Sequence, residues 1–320
     1  MDIGIGIPNT VTGATGPLLL EWARRAEAAG FATLATIGRI GYPGFEELTV
    51  LGAAGAVTER IGLVTNVLLA PTRSSAELAK QAATVQQLSG GRLTLGLGVG
   101  GRPDDFALAG REFGRRGRLF DQQLTELSRA WQGEPLAEGS QPPAPDPGPG
   151  GVPLLIGGTS DATVRRVVEH GSGWTAGGAP PEATRPFAER VRAAWRDAGR
   201  DGSPTIAALN YFGLGDTEDR SRAYLLDYYG ILGPQVAEMI AGGAHRSPRA
   251  IKDVIAAFED AGVDELVLDP TVAELDRSTG SPRWSSAEAR PPSSVTVARR
   301  RCRSGRGRRP AVRRGPGGRG

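Results

Sequence analysis

The chain has 320 residues, 39% of them apolar, which is enough for one large α/β barrel or two ordinary domains. No apolar run is long enough for a membrane span. The first residues form an alternating strand rather than a secretory signal, so we expect a cytoplasmic protein.

Charge is distributed unevenly along the chain. Residues 277–320 hold 13 arginines and one acid, which leaves 25 basic and 34 acidic residues, a net charge of −9, in residues 1–276. The basic balance that would suggest nucleic-acid binding therefore belongs to the tail alone. The single cysteine, Cys302, lies there too, and His170 and His245 lack zinc-ligand spacing. We expect neither a disulfide nor a metal site in residues 1–276.

Strand and helix patterns alternate along the chain. Leu19, Trp22, Ala23 and Ala26 recur at helical spacing, and Gly30 follows as a C-cap. Similar stripes occupy 120–131, 187–195 and 251–258. The predicted strands are 3–7, 33–37, 61–65, 93–97, 153–156, 173–176, 205–212 and 265–268. Eight parallel βαβ units in roughly 270 residues predict a (β/α)8 TIM barrel, with a doubly wound open sheet as the alternative.

Two of the connections are long. Residues 141–151 are rich in proline and glycine and are expected to form a surface loop. Residues 221–229 and 234–241 predict additional helices between the seventh and eighth strands. Such insertions cover the active-site mouth of a barrel, although ordinary amphipathic packing is the alternative for each residue in them.

The eighth helix is expected to be lost or replaced. Residues 272–276 begin a helical pattern, which then gives way to arginine, glycine, proline and serine. If one nucleotide is restored before the codon of Arg277, the new reading frame can encode a continuation of the helix. We therefore hypothesise that a single-nucleotide deletion shifted the frame. A genuine basic arm that binds nucleic acid or anionic lipid is the alternative. We divide the chain into a barrel domain, 1–276, and a disordered tail, 277–320.

Candidate functional residues follow the strands, because barrel active sites lie at the carboxyl ends of the strands. These positions hold Pro8, Asn9, Gly38, Arg39, Tyr42, Asn66, Gly98, Gly100, Arg102, Asp104, Asp105, Gly157, Gly158, Thr159, Ser160, Gly177 and Gly178. Asp104 and Asp105 are adjacent and point in different directions, so we do not expect them to share an acid/base role.

The segment from Gly157 to Ser160 ends a strand and opens a helix. Free N–H groups and hydroxyls at such a helix start suit a phosphate, but a simple N-cap fits the sequence equally well. Gly96–Gly101 formally matches G-x-G-x-x-G, yet Arg102 and Pro103 follow where a dinucleotide fold needs a helix. We interpret these glycines as room for a flat ring. No nucleophile motif occurs, so a cofactor is expected to supply the chemistry.

Several blocks resemble the luciferase-like flavin-dependent oxidoreductases, in the order found in that family. They are residues 23–31, 57–66, 70–72, 79–100, 156–159, 164–166 and 171–174. The resemblance spans residues 1–276. It implies a barrel that binds reduced FMN, or alternatively coenzyme F420, at its mouth.

The resemblance also implies where the cofactor lies. The phosphate is expected near Gly157, Gly158, Thr159 and Gly177, with Ser160 at the same turn. A cis peptide bond is expected at Asn66–Val67, beneath the flavin ring. Gly98 and Gly100 lie on the neighbouring strand.

Relatives often carry Asp or His where this chain has Gly38, which disfavours the deazaflavin sugar-phosphate dehydrogenases. Arg39 and Tyr42 become the catalytic candidates, for binding a polar substrate group or stabilising charge. The implied reaction is oxygenation of a small organic substrate by a monooxygenase that receives reduced FMN from a separate flavin reductase. The alternatives are deazaflavin-dependent hydride transfer and a non-catalytic flavin-binding protein or inactive relative. The family also implies a homodimer.

Overall fold

The computed structural model describes residues 1–275. The predicted tail, its proposed frameshift and the predicted loss of the eighth helix fall on residues 276–320, outside the described part. They remain predictions.

Eight parallel strands close into a barrel. They are β1 (Asp2–Gly6), β2 (Thr33–Thr36), β3 (Gly62–Thr65), β4 (Leu93–Gly98), β5 (Leu154–Gly157), β6 (Gly173–Thr175), β7 (Thr205–Phe212) and β8 (Glu265–Pro270). Each pairs with the next, β8 pairs with β1, and β3 pairs with β4 through Leu63–Leu93 and Val64–Thr94. The closed ring confirms the TIM barrel and rejects the open doubly wound sheet. A two-residue strand, Leu68–Leu69, extends the pairing along β4.

Helices surround the barrel. They are α1 (Gly16–Ala28), α2 (Glu47–Ala56), α3 (Ser75–Leu88), α4 (Pro103–Leu108), α5 (Arg116–Trp131), α6 (Asp161–His170), α7 (Pro181–Asp197), α8 (Glu218–Tyr229), α9 (Pro234–Gly242) and α10 (Pro248–Asp260). The two additional helices predicted between β7 and β8 are therefore present as α8 and α9. The short α4 was not predicted: Pro103 occupies its first turn, where proline suits a helix start, rather than separating the glycines from a helix.

Apolar side chains form two layers. One cluster lies between the helices and the outer faces of the strands, and it includes the predicted α1 stripe of Leu19, Trp22, Ala23 and Ala26. The other fills the barrel interior and includes Val64, Leu155, Ala207 and Val267. Side chains alternate along a strand, so the residue two positions after each of these four also faces the interior. Those later residues lie at the carboxyl ends of the strands.

Glycine permits the closest approach between β3 and β4. A Cβ at Gly96 would lie 1.9 Å from the backbone oxygen of Thr65, an impossible contact. The Thr65 hydroxyl donates to the backbone oxygen of Gly96 at 2.7 Å, which ties the two strands together. Closure of the barrel at this position depends on the missing side chain.

We predict that Gly96→Ala lowers the free energy of unfolding by about 1–3 kcal/mol, because the strands must separate to admit the methyl group. Gly52→Ala is the matched control. Gly52 lies inside α2, where a Cβ would meet only Val85 at 3.6 Å, so alanine should raise stability by about 0.5–1 kcal/mol. Urea denaturation of both variants measures the difference. Equal effects would refute the packing argument.

Candidate functional site

A cavity of about 220 Å³ opens at the carboxyl ends of β3 to β6. Seven of the nine predicted cofactor-binding residues line it: Asn66, Val67, Gly98, Gly100, Gly157, Gly158 and Gly177. Thr159 and Ser160 do not. The Ser160 hydroxyl instead accepts from the Thr163 N–H at 3.3 Å and caps α6, which is the N-cap alternative stated above.

Val67 forms one side of this cavity against two glycines. The Asn66–Val67 bond is cis, as the resemblance implies. A Cβ at Gly98 would lie 2.8 Å from the Val67 side chain, and one at Gly157 would lie 3.3 Å from it. Any larger residue at Gly98 would therefore push Val67 from its place. Together the three residues form an apolar recess.

Asn66 supplies the polar group of the recess. Its Oδ1 accepts a hydrogen bond from the Thr175 hydroxyl at 2.8 Å, and that hydroxyl accepts from the Gly177 N–H at 3.1 Å. This orientation leaves the Asn66 Nδ2 buried with no hydrogen-bond partner among the described residues. A buried donor without a partner is costly, and it suits a ligand that carries an acceptor.

Arg39 lies in a buried ion cluster with Asp104 and Asp105. It donates to the Asp104 carboxylate, and its Nε lies 3.8 Å from Asp105 Oδ1. It also donates to the Tyr228 backbone oxygen at 2.9 Å, and the Gly41 N–H donates to Asp105 at 2.7 Å. The two carboxylates thus approach the same guanidinium, although their adjacency in the sequence predicts different directions. These contacts join the loop after β2 to α4 and α8.

Tyr42, the second catalytic candidate, donates its hydroxyl to Asp227 of α8 at 2.7 Å. Burial and the neighbouring Asp227 carboxylate raise the pKa of Tyr42 to about 12, so the phenol is protonated at neutral pH. Its ring meets that of Tyr228 edge to face, with centroids 4.9 Å apart. The structure places Arg39 and Tyr42 at the mouth, outside the lining of the glycine cavity.

Glu47 occupies the space that a side chain at Gly38 would need. A Cβ at Gly38 would lie 2.2 Å from Glu47 Oε1. Glu47 begins α2, is buried, and pairs with Arg73 at 2.9 Å. Burial raises the pKa of Glu47, against the opposing effect of Arg73. Glu47 is not among the sequence-based candidates because it lies nine positions after Gly38, beyond the turn that follows the second strand.

All five tyrosines of the chain meet at the mouth. Tyr228 contacts the rings of Tyr42, Tyr224 and Tyr229, and Tyr229 contacts that of Tyr211. Two hydroxyl contacts of 2.6 Å, Tyr211 to Tyr229 and Tyr224 to Thr10, fix the cluster. We call these five residues the tyrosine cluster. It covers the ends of β7, β8 and β1, opposite the glycine cavity.

Asp269 lies at the end of β8, two residues after the interior Val267 and beside Tyr211 in the β7 register. It is 2% exposed, and its Oδ1 has no hydrogen-bond partner among the described residues. Burial raises the pKa of this carboxyl well above its ordinary value. Asp269 carries the same sequence signal as Asn66, a polar residue directly after a predicted strand, but the sequence-based candidates lie after the first six strands only.

Other features of the described residues do not compete with this site. A larger cavity, about 470 Å³, lies between α3 and α5 and shares no lining residue with the glycine cavity. Within residues 1–275, no group of His, Cys, Asp and Glu could hold a metal ion. The helices in the same range include none long and apolar enough to cross a membrane.

Comparisons with known proteins agree on the fold. A family model described as luciferase-like monooxygenase matches residues 1–282. The uncharacterized protein Rv0940c of Mycobacterium tuberculosis is 32% identical over 224 residues, 60% of this chain and 76% of that protein.

Two solved structures share the barrel at low identity. An F420-dependent secondary alcohol dehydrogenase in complex with an F420–acetone adduct has a TM-score of 0.72 and 17% identity, covering 91% of this chain and 99% of that one. The oxygenating constituent of 3,6-diketocamphane monooxygenase from the CAM plasmid of Pseudomonas putida, in complex with FMN, has a TM-score of 0.65 and 16% identity, covering 90% and 96%. At these identities the likeness shows the fold alone.

We predict that Gly38→Ala lowers the free energy of unfolding by about 1–3 kcal/mol, because the new methyl group collides with the Glu47 carboxylate. In a Glu47→Ala background the same substitution should leave the free energy of unfolding nearly unchanged. A double-mutant cycle measured by urea denaturation tests the coupling. Additive effects would show that Glu47 does not fill the Gly38 position.

A second prediction concerns the pH dependence of stability. The pKa of Asp269 is higher in the folded than in the unfolded chain, so its contribution is greatest at low pH and is lost as pH rises toward the folded pKa. Asp269→Asn should therefore gain stability relative to wild type by up to about 1.4 kcal/mol per pH unit above about pH 5. Urea denaturation from about pH 5 to about pH 8 measures this. A constant difference would mean that Asp269 titrates normally.

Proposed function

Because the chain belongs to the luciferase-like monooxygenase family, we propose that it is a flavin-dependent monooxygenase that uses reduced FMN and oxygen on a small organic substrate. A separate flavin reductase would supply the reduced cofactor. We further propose that the protein is cytoplasmic and acts as a homodimer. Deazaflavin-dependent hydride transfer is the alternative, and one solved neighbour with the same fold is a dehydrogenase in complex with an F420–acetone adduct.

The unpaired Asn66 amide beside the glycine recess carries this proposal. A flavin ring is flat and bears ring nitrogens and carbonyl oxygens at its edge. The recess between Val67, Gly98 and Gly157 suits the face of such a ring, and the Asn66 Nδ2 would donate to an edge acceptor. Thr175 holds the Asn66 amide in that orientation.

The phosphate of the cofactor would lie at the start of α6. Gly158 and Gly177 both have positive φ, 114° and 56°, which brings the backbone of these turns close to the cavity without a side chain in between. The N–H groups of the first turn of α6 attract an anion. Thr159, which is exposed and adjacent, would add a hydroxyl to this binding site.

The residues around Gly38 favour FMN-dependent oxygenation. They disfavour the deazaflavin-dependent reaction of the sugar-phosphate dehydrogenases. Those relatives carry a histidine at this turn, whereas here the Glu47 carboxylate fills the position. When bound, reduced flavin would supply the electrons that activate oxygen. The protein would orient the ring and exclude water from it.

An anaerobic titration with reduced FMN, and in parallel with reduced coenzyme F420, tests the proposal. We expect FMN to bind the wild type tightly and Asn66→Ala to weaken its binding about 5- to 15-fold, the loss of one hydrogen bond. Asn210→Ala is the matched control, because Asn210 lies on β7 and does not line the cavity. It should bind FMN as the wild type does.

Each outcome decides between the candidate functions. If the protein binds reduced coenzyme F420 more tightly than reduced FMN, hydride transfer replaces oxygenation as the proposed reaction. Tight FMN binding without any oxygenated product, across a panel of small organic compounds under air, would identify a non-catalytic flavin-binding protein. Equal losses in both asparagine variants would mean that the glycine cavity is not the cofactor site.

A further inference from the structure

The 470 Å³ cavity lies on the flank of the barrel, between the start of α3 and one face of α5. Residues 136–143, which follow α5, include further members of its lining. A cavity of this size is large enough for a small molecule. Part of its wall is apolar and consists of Pro71, Leu119, Leu136 and Pro143. The polar groups of the wall decide which small molecule would fit.

Gln123 brings an unpartnered hydrogen-bond acceptor to this cavity. The residue is 5% exposed and belongs to the cavity lining. Its Nε2 donates to the backbone oxygens of Ala70 at 2.9 Å and Arg73 at 2.8 Å, which fixes the orientation of the amide. Its Oε1 has no hydrogen-bond partner among the described residues. A buried acceptor without a partner is costly, and a ligand that carries an N–H donor would complete it.

The start of α3 brings unpartnered N–H groups to the same cavity. Ser74 caps this helix: its hydroxyl accepts from the Glu77 N–H at 3.3 Å, and its backbone oxygen accepts from the Leu78 N–H at 2.9 Å. The N–H groups of Ser75 and Ala76 have no hydrogen-bond partner within residues 1–275. Both residues line the cavity. Free N–H groups at a helix start attract an anion such as a carboxylate.

Two side chains of opposite charge, Arg111 and Glu126, also line the cavity. Neither forms an ion pair with another described residue. Arg73, the third charged residue of the lining, is already paired with Glu46 and Glu47 at 2.9 Å each. The cavity therefore has one unpaired guanidinium and one unpaired carboxylate. A ligand that carries both charges would pair with each of them.

We propose that this cavity binds a free amino acid with an apolar side chain. The carboxylate of the amino acid would accept from the N–H groups of Ser75 and Ala76, with Arg111 as the counter-ion. Its ammonium group would donate to Gln123 Oε1, with Glu126 as the counter-ion. The apolar wall would contact its side chain. This site shares no lining residue with the glycine cavity, so it does not depend on the proposed flavin-dependent function.

The first test compares L-leucine with two probes of matched shape, each of which lacks one charged group. The compound 4-methylpentanoate lacks the ammonium group, and 3-methylbutylamine lacks the carboxylate. Isothermal titration calorimetry of the full-length chain without cofactor measures the binding of all three. We expect leucine to bind at least about 10-fold more tightly than either probe, because each probe loses charge-assisted hydrogen bonds. Absence of leucine binding, or binding of either probe as tightly as leucine, would overturn the proposal.

A proline substitution tests the helix start. Ser75→Pro removes one N–H group at the first position of α3, where helices tolerate proline. The preceding residue, Ser74, already has the extended backbone that a following proline requires, with φ −75° and ψ 137°. We expect leucine to bind about 5- to 15-fold more weakly to this variant, the loss of one hydrogen bond, and 3-methylbutylamine to bind as it does to the wild type. Ser75→Ala is the matched control, since it keeps the N–H group, and should stay within about 2-fold of wild type.

Two charge substitutions test the counter-ions on a surface where the fold is not at risk. Arg111→Gln should weaken the binding of leucine and 4-methylpentanoate about 3-fold, and Glu126→Gln should weaken that of leucine and 3-methylbutylamine by a similar factor. Arg118→Gln is the matched control, because Arg118 is an exposed arginine of α5 outside the cavity lining. It should leave all three affinities unchanged. Equal leucine binding by Ser75→Pro, Arg111→Gln and wild type would show that leucine binds elsewhere and would refute the assignment.

Discussion

Closure of the barrel between β3 and β4 is the constraint on which the site depends. The backbone of Thr65 lies so close to Gly96 that no side chain fits between them, and the Thr65 hydroxyl bonds across the same gap. Directly above this contact the chain makes the cis bond at Asn66–Val67. Closure therefore fixes both the side chain that walls the glycine cavity and the amide beside it. A looser junction between β3 and β4 would position neither Val67 nor Asn66.

The two halves of the mouth follow from how the interior is filled. On the β3 to β6 side, glycines leave space for a cavity, and its side walls include Val67, Leu69 and Thr175. On the opposite side, α8 inserts Tyr224 and Tyr228 over the strand ends, and these side chains are almost wholly buried. The insertion between β7 and β8 therefore changes the mouth from an open ring into one open half and one covered half.

Local patterns predicted the barrel well, because alternation and helical stripes are properties of short segments. The eight strands, the two helices α8 and α9, and the glycines after β4 and β5 all follow from a few adjacent residues. The tyrosine cluster could not be predicted in this way. Its members come from the loop after β2, from β7 and from α8, and only closure of the barrel brings Tyr42 to Tyr228. Glu47 could not be predicted for the same reason, since its contact with the Gly38 position exists only in the folded structure.

The charges at the mouth show why Asp269 stands apart from the other acids. Asp104 and Asp105 share Arg39, and Glu46 and Glu47 share Arg73, so each of these carboxylates is near a guanidinium. A neighbouring guanidinium opposes the effect of burial on a carboxyl pKa, as Arg73 does for Glu46 and Glu47. Asp269 lacks such a partner within the described residues, and burial alone acts on it. Paired acids thus fix the loops at the mouth, whereas Asp269 lies in the interior of the barrel, where burial raises its pKa.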